Sequence, residues 1–129
     1  MRVITGTARG RVLRTLEGED VRPTTDRVKE AVFSIIQFEI EGRRVLDLFA
    51  GSGQLGIEAL SRGAASATFV DMSKDSLSTV KYNLEHTKLG DNAKVVQTDA
   101  LSFLKLTKDK FDIVFLDPPY ASSLVVDSM

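Results

Sequence analysis

The sequence has no cysteine and no tryptophan, one histidine (His86) and three prolines in 129 residues. Without thiols there is no disulfide framework and no thiolate metal site. A lone imidazole leaves no zinc centre of the usual kinds, so no metal is expected. No apolar run approaches the roughly 20 residues that cross a bilayer. The N-terminal stretch MRVITGTARGR has no apolar signal core, which predicts an intracellular, cytoplasmic protein with no membrane partner. What is present is ordinary for a globular chain: 43% hydrophobic and 27% charged residues. The length suits one domain, or part of one. A formal net charge of −1 excludes both a polybasic tail and a strongly acidic disordered chain.

That near-neutrality hides an asymmetry. Residues 1–29 carry seven cations (Arg2, Arg9, Arg11, Arg14, Arg22, Arg27 and Lys29) against Glu17, Glu19, Asp20 and Asp26, a net of +3, and the remainder is −4. A basic leader on a mildly acidic body fits either a local contact with an anion such as nucleic acid or a solvated, Arg-rich hairpin. The leader is taken as residues 1–22 and the main domain as 23–129. Arg9 and Arg11 are its candidate RNA contacts.

Residues 2–6 and 11–15 read as two short strands around Thr7–Gly10. Thr25 or Asp26 can cap a helix to about Ile36, whose apolar positions Val28, Ala31, Val32, Ile35 and Ile36 fall on one face. From Arg43 the pattern alternates. Val45–Phe49, Ala67–Val70, Ala93–Val96 and Phe111–Leu116 read as strands. Gln54–Arg62, a helix from Ser73 to about Lys88, and Leu101–Leu106 read as the helices between them. Apolar strands joined by helical crossovers predict an α/β fold, a doubly wound, Rossmann-like and mostly parallel sheet covered on both faces. Ligands in such sheets bind at the carboxyl ends of the strands.

The residues at those ends carry chemistry. Gly51, Gly53 and Gly56 match the G-x-G-x-x-G fingerprint, and Asp71 lies twenty residues past Gly51, where an acidic side chain accepts from ribose hydroxyls. The same glycines also suit a tight strand–helix turn. Asp47 argues against NAD, because a pyrophosphate at the mouth of the crevice would meet a like charge at close range. An ammonium and a sulfonium would be attracted there, which selects a cationic ligand bearing a ribose, such as S-adenosyl-L-methionine. Alternatively, Asp47 accepts from loop amides. Asp99 can accept from an adenine amino group, cap the helix after it, or do both.

Asp117-Pro118-Pro119-Tyr120 is the most specific motif. Two prolines fix the backbone and remove two donors. Asp117 and the Pro118 carbonyl can then accept both hydrogens of an exocyclic amine on a flat base, aim its lone pair at a methyl group and stabilise the developing positive charge. Tyr120 can stack on the base. His86, near a helix C-terminus, reads as a surface residue favoured by the helix dipole.

DLFAGSG, VD, TDA and DPPY, in this order and spacing, resemble class I S-adenosylmethionine-dependent methyltransferases that modify exocyclic amines. RVITGTARGRVL, RPTTDRVKEAVFSII and DLFAGSGQLGIEALSRGA are similar in detail to the RsmD family of bacterial 16S rRNA guanine-N2 methyltransferases, over essentially the whole chain. The resemblance implies that Asp47, Gly51 and Gly53 hold the methionine end of the cofactor, Asp71 the ribose and Asp99 the adenine. Asp117, Pro118 and Tyr120 would hold the guanine, and Arg22 would lie near the cofactor and RNA side. The implied partner is 16S rRNA or the assembling small ribosomal subunit, and the complete protein is expected to be a monomer. Family members frequently have glutamate where this chain has Asp71.

The family continues through further strands after its Asp-Pro-Pro-Tyr strand, whereas this chain runs nine residues past it. The expectation is therefore a sheet ordered 3-2-1-4, truncated after strand four, with Phe111–Leu116 a bare edge prone to self-association. Competing readings are an amine methyltransferase for DNA or protein, a non-catalytic module that binds S-adenosylmethionine or RNA, and an NAD oxidoreductase.

Overall fold

A computed structural model describes residues 2–14, 23–116 and 124–127, with residues 23–28 and 124–127 described by backbone alone. After the leader come α1 (Pro23–Ile36), β1 (Arg44–Asp47), α2 (Gln54–Ser61), β2 (Ser66–Asp71), α3 (Lys74–Thr87), β3 (Ala93–Gln97), α4 (Ala100–Leu106), β4 (Ile113–Leu116) and β5 (Leu124–Asp127). The sheet order is β3-β2-β1-β4-β5. β1 pairs in parallel with β2 and β4, and β2 with β3. The parallel α/β sheet expected from the alternating pattern is thus present.

Alternation along the strands divides the core. Val45, Phe69, Ile113 and Phe115 point to the face covered by α1, α2, α3 and the leader. Leu46, Val70, Val114 and Leu116 point to the other face, where Phe103 of α4 packs. β1 and β2 are buried on both faces, which is why they read as unbroken apolar runs.

Three expectations are corrected. First, β4 is not an edge. β5 pairs antiparallel with it, Leu116 opposite Leu124 and Ile113 opposite Asp127, so the backbone groups expected to be bare have partners. The basis for self-association through β4 is removed, and the edges are β3 and β5.

Second, the expected strands 2–6 and 11–15 are not formed over their described residues, 2–6 and 11–14. A single antiparallel bridge joins Arg2 and Val12. Val3 still donates to the Arg11 carbonyl, but the next two amides of the first segment turn to α2, Ile4 and Thr5 donating to Glu58; in the turn Thr7 donates to the Ser61 carbonyl and Ala8 to the Ser61 hydroxyl. Gly6 (φ +94°) fits because a Cβ there would lie 1.8 Å from that carbonyl. Val3, Ala8 and Leu13 join the main core.

Third, α1 begins at Pro23, ahead of Thr25. Proline has no amide hydrogen to waste in a first turn, and its fixed φ suits one.

Candidate functional site

The carboxyl ends of β1, β2 and β3 carry the candidate cofactor residues Asp47, Gly51, Gly53, Asp71 and Asp99. Gly51 (φ +56°) and Gly53 (φ +84°) are both left-handed, so the loop after β1 turns in a way that side chains with a Cβ resist. Gly56 answers a different need. Its amide donates to Asp47 Oδ2 at 3.1 Å, and a Cβ there would lie 2.4 Å from Phe69 Cε1. The third glycine of the fingerprint therefore serves helix–sheet packing. Asp47 is fully buried beneath the loop.

Asp71 ends β2 and reaches across to the same loop. Its Oδ2 accepts from the Gly51 amide at 3.0 Å and its Oδ1 from the Ser73 amide at 2.8 Å. Asp99 caps α4, accepting from the Ser102 amide at 2.8 Å and the Ser102 hydroxyl at 2.7 Å. Those bonds, the hydroxyl's first, hold the Asp99 carboxyl below the ordinary aspartate value. Asp71 and Asp99 remain partly open to solvent, and each carboxylate oxygen keeps lone pairs beyond the ones engaged. The helix-capping use of Asp99 is present, and Asp47 accepts from the Gly56 amide in the first turn of α2. Asp117, Pro118 and Tyr120 lie outside the described residues, as does Arg22.

A left-handed glycine loop with Asp47 and Asp71 bonded to its unit, and Asp99 on the same edge of the sheet, suits a ligand that carries cations and ribose hydroxyls. Such a group could be held by the loop of Gly51 and Gly53, with Asp71 and Asp99 on one rim. No group of three or more metal-ligating side chains occurs among the described residues, and none of their helices is long and apolar enough to cross a membrane.

The leader's arginines divide. Arg9 and Arg11 are exposed in a turn that rests on Ser61, at the C-terminal end of α2. Arg14 lies at the other end of the leader, beside α3, with its guanidinium 3.8 Å from the Tyr82 ring centroid. Tyr82 in turn stacks on exposed His86 at 6.0 Å.

Sequence reasoning missed two residues that fasten the leader. Glu58 is fully buried, pairs with buried Lys29 at 3.2 Å and with Arg62 at 2.9 Å, and accepts from Ile4 and Thr5. Its signal was available: one carboxylate in the otherwise apolar stretch Leu55–Leu60. Asn83, fully buried in α3, bonds both to Arg14 and to the glycine loop. Nothing in its local sequence marks it.

Comparison with known proteins gives the lineage. Ribosomal RNA small subunit methyltransferase D of Haemophilus influenzae is 44% identical over 127 residues, which are 96% of this chain and 66% of that protein. A solved structure of a candidate methyltransferase from Escherichia coli superposes with a TM-score of 0.84 at 45% identity, covering 94% of this chain and 65% of that one. A third structure, a candidate methyltransferase complexed with SAH, gives 0.63 at 26% identity over 70% of this chain and 25% of that one. The chain thus spans about two thirds of the length of the first two. The family described as Conserved hypothetical protein 95 matches residues 1–129, and the chain belongs to this family, the RsmD family that its motifs resemble.

Proposed function

We propose that this chain forms the cofactor-binding part of an S-adenosylmethionine-dependent methyltransferase that modifies the N2 amine of a guanine in 16S ribosomal RNA. The observation that carries the reading is the left-handed loop of Gly51 and Gly53 after β1, with Asp47 and Asp71 bonded to the loop–helix unit and Asp99 just past β3 on the same edge of the sheet. The relatives' names supply the RNA class. The structure that holds SAH supports the cofactor class.

When bound, the cofactor supplies an electrophilic methyl group. Asp71 accepts from the ribose hydroxyls, Asp99 from the adenine amine, and buried Asp47 favours the cationic methionine end. Asp117 and the Pro118 carbonyl accept the two hydrogens of the guanine amine and orient its lone pair, and Tyr120 stacks on the base. The nitrogen would take the methyl group as the sulfonium–methyl bond breaks, the electron pair staying on sulfur as a neutral thioether, and would then lose one proton to water, so no protein base is required. Arg9, Arg11 and Arg22 contact RNA phosphates.

The test is transfer of tritiated methyl groups from S-adenosylmethionine by the intact protein. Undermethylated 30S particles are compared with naked 16S rRNA, DNA and protein acceptors. Label in a guanine of 16S rRNA supports the reading, whereas label in DNA or protein alone, or none, overturns it. Asp117→Ala should abolish transfer with cofactor affinity nearly intact, measured by calorimetry. A collapse of cofactor affinity in that variant would show that Asp117 does not act on the amine.

A further inference from the structure

Asn83 occupies a junction that the proposed chemistry does not use. It is fully buried in α3, and its side-chain hydrogen bonds leave the helix. Its Nδ2 donates to the Arg14 carbonyl and to the Ser52 carbonyl, both at 2.9 Å. Its Oδ1 accepts from the Arg14 amide at 2.8 Å. One carboxamide thereby satisfies both main-chain groups of a leader residue and one carbonyl of the glycine loop. No other side-chain chemistry of this size does this. Aspartate would turn a carboxylate toward two carbonyl oxygens, and leucine would leave three backbone groups without this partner, the Ser52 carbonyl buried and the Arg14 pair partly so.

On the reading above, on which this inference rests, the glycine loop that contains Ser52 faces the cofactor, and Arg14 adds an RNA contact to those already assigned. Ser52 stands between Gly51 and Gly53. Arg14 is exposed, and its guanidinium lies over Tyr82, itself 41% exposed and stacked on His86. A cation on an open aromatic stack suits RNA, where bases and phosphates are both accessible. Arg14 is also the arginine of the described leader that hydrogen bonds tie to the glycine loop, through Asn83. The Arg9 and Arg11 turn is docked at the far end of α2.

We propose that Asn83 is a positioning residue: its carboxamide holds the Arg14 end of the leader and the Ser52 carbonyl of the glycine loop in one frame, so that the RNA contact and the cofactor loop are set relative to each other. A disturbance at the Arg14 main chain then reaches the cofactor, although Arg14 does not touch it. The side chain of Arg14 has no such reach.

The test exploits that split in the intact protein, with S-adenosylmethionine affinity read by calorimetry and transfer read on undermethylated 30S particles. Arg14→Ala keeps the amide and carbonyl that Asn83 uses. It should leave cofactor affinity unchanged and raise KM for the particles. Arg14→Pro removes the amide hydrogen and should weaken the cofactor about fivefold as well, the effect of one lost hydrogen bond. Asn83→Ala should weaken the cofactor at least as much. If that buried variant does not fold, the pair at Arg14 still decides. Ser61→Ala loosens the leader on α2 and should leave cofactor affinity unchanged. Equal cofactor affinity in Arg14→Pro and Arg14→Ala overturns the proposal. So does a loss in Ser61→Ala as large as in Arg14→Pro, since leader docking in general would then be the cause. A wild-type protein that binds no S-adenosylmethionine would instead overturn the proposed function.

Discussion

Glu58 and Asp71 are both carboxylates on the loop–helix unit that follows β1 or on the strand beside it, yet the molecule treats them oppositely. Glu58 is fully buried, and its two oxygens meet the Lys29 ammonium, the Arg62 guanidinium and two backbone amides. Its charge is balanced within the protein, and the result is a seam that joins the leader, α1 and α2. Asp71 takes two amides, stays partly exposed and has no cation within ion-pair distance among the described residues; Asp99 takes one amide and one hydroxyl, both of Ser102, and is likewise partly exposed and without such a cation. The difference separates scaffold from site. A carboxylate given its own cations holds the fold. On the proposed reading, one that is oriented by local hydrogen bonds and left with its charge at a strand end is set for a ligand that brings the cation or the hydroxyls.

The comparison breaks first, and most visibly, at Glu58. Glu58→Ala leaves the Lys29 ammonium buried without this carboxylate and frees the amides of Ile4 and Thr5. The expected loss is about 3–5 kcal/mol, the usual result of removing one partner of a buried pair. Urea unfolding followed by circular dichroism measures it. A loss below about 1 kcal/mol would place Glu58 among ordinary surface ion pairs and dissolve the contrast.

Gly56 is the joint between the two regions, because its amide holds Asp47 while its bare α-carbon lies on Phe69. Gly56→Ala should cost about 1–3 kcal/mol by overpacking and should also weaken the cofactor, since the loop must shift with the helix. Stability lost with affinity unchanged would confine the glycine to scaffolding.

At Asp71 the effect should appear in binding. Asp71→Ala should weaken S-adenosylmethionine by about 1–3 kcal/mol, the cost of charged hydrogen bonds to a ribose. Asp71→Asn keeps an oxygen for one loop amide but not the charge. Calorimetry on both variants separates loop support from ligand contact. Wild-type affinity in Asp71→Ala would move the ribose elsewhere.

Much of this contrast was legible in the chain. Strand cores such as Val45-Leu46 and Phe69-Val70 are apolar on both faces, so they show in sequence, and the acidic residue closing each strand stands out against them. The residues that were missed act across the sequence. Glu58 meets Ile4 and Asn83 meets Arg14, separations of 54 and 69 positions that no local pattern encodes. The leader alternates enough to suggest a hairpin, but its amides are captured by α2, a competition that only the folded arrangement reveals. β5 was overlooked for a different reason. Leu124-Val125-Val126 is a run of only three apolar residues closed by Asp127, too short to signal a strand until β4 is beside it.

The smallest expected effect concerns acid. The Asp99 carboxyl lies below its ordinary value of 3.8, chiefly through the Ser102 hydroxyl and then the Ser102 amide. A carboxylate whose folded value is depressed binds fewer protons folded than unfolded between the two values. Its contribution is therefore present above about pH 4 and is lost as pH falls through the lowered folded value. Asp112, held down first by its hydrogen bond to the Arg44 side chain, acts in the same window and the same direction. Ser102→Ala removes the larger Asp99 cause and should raise its titration midpoint toward 3.8 without affecting Asp112. Carboxyl carbon shifts followed by NMR between pH 5 and 2 report both groups directly. The melting temperature should fall slightly less over that range in Ser102→Ala than in wild type, because less native-state preference remains to be lost. An Asp99 midpoint unmoved by the substitution would show that the α4 amides alone orient this carboxylate, and that the Ser102 hydroxyl can turn away when a ligand needs the oxygen.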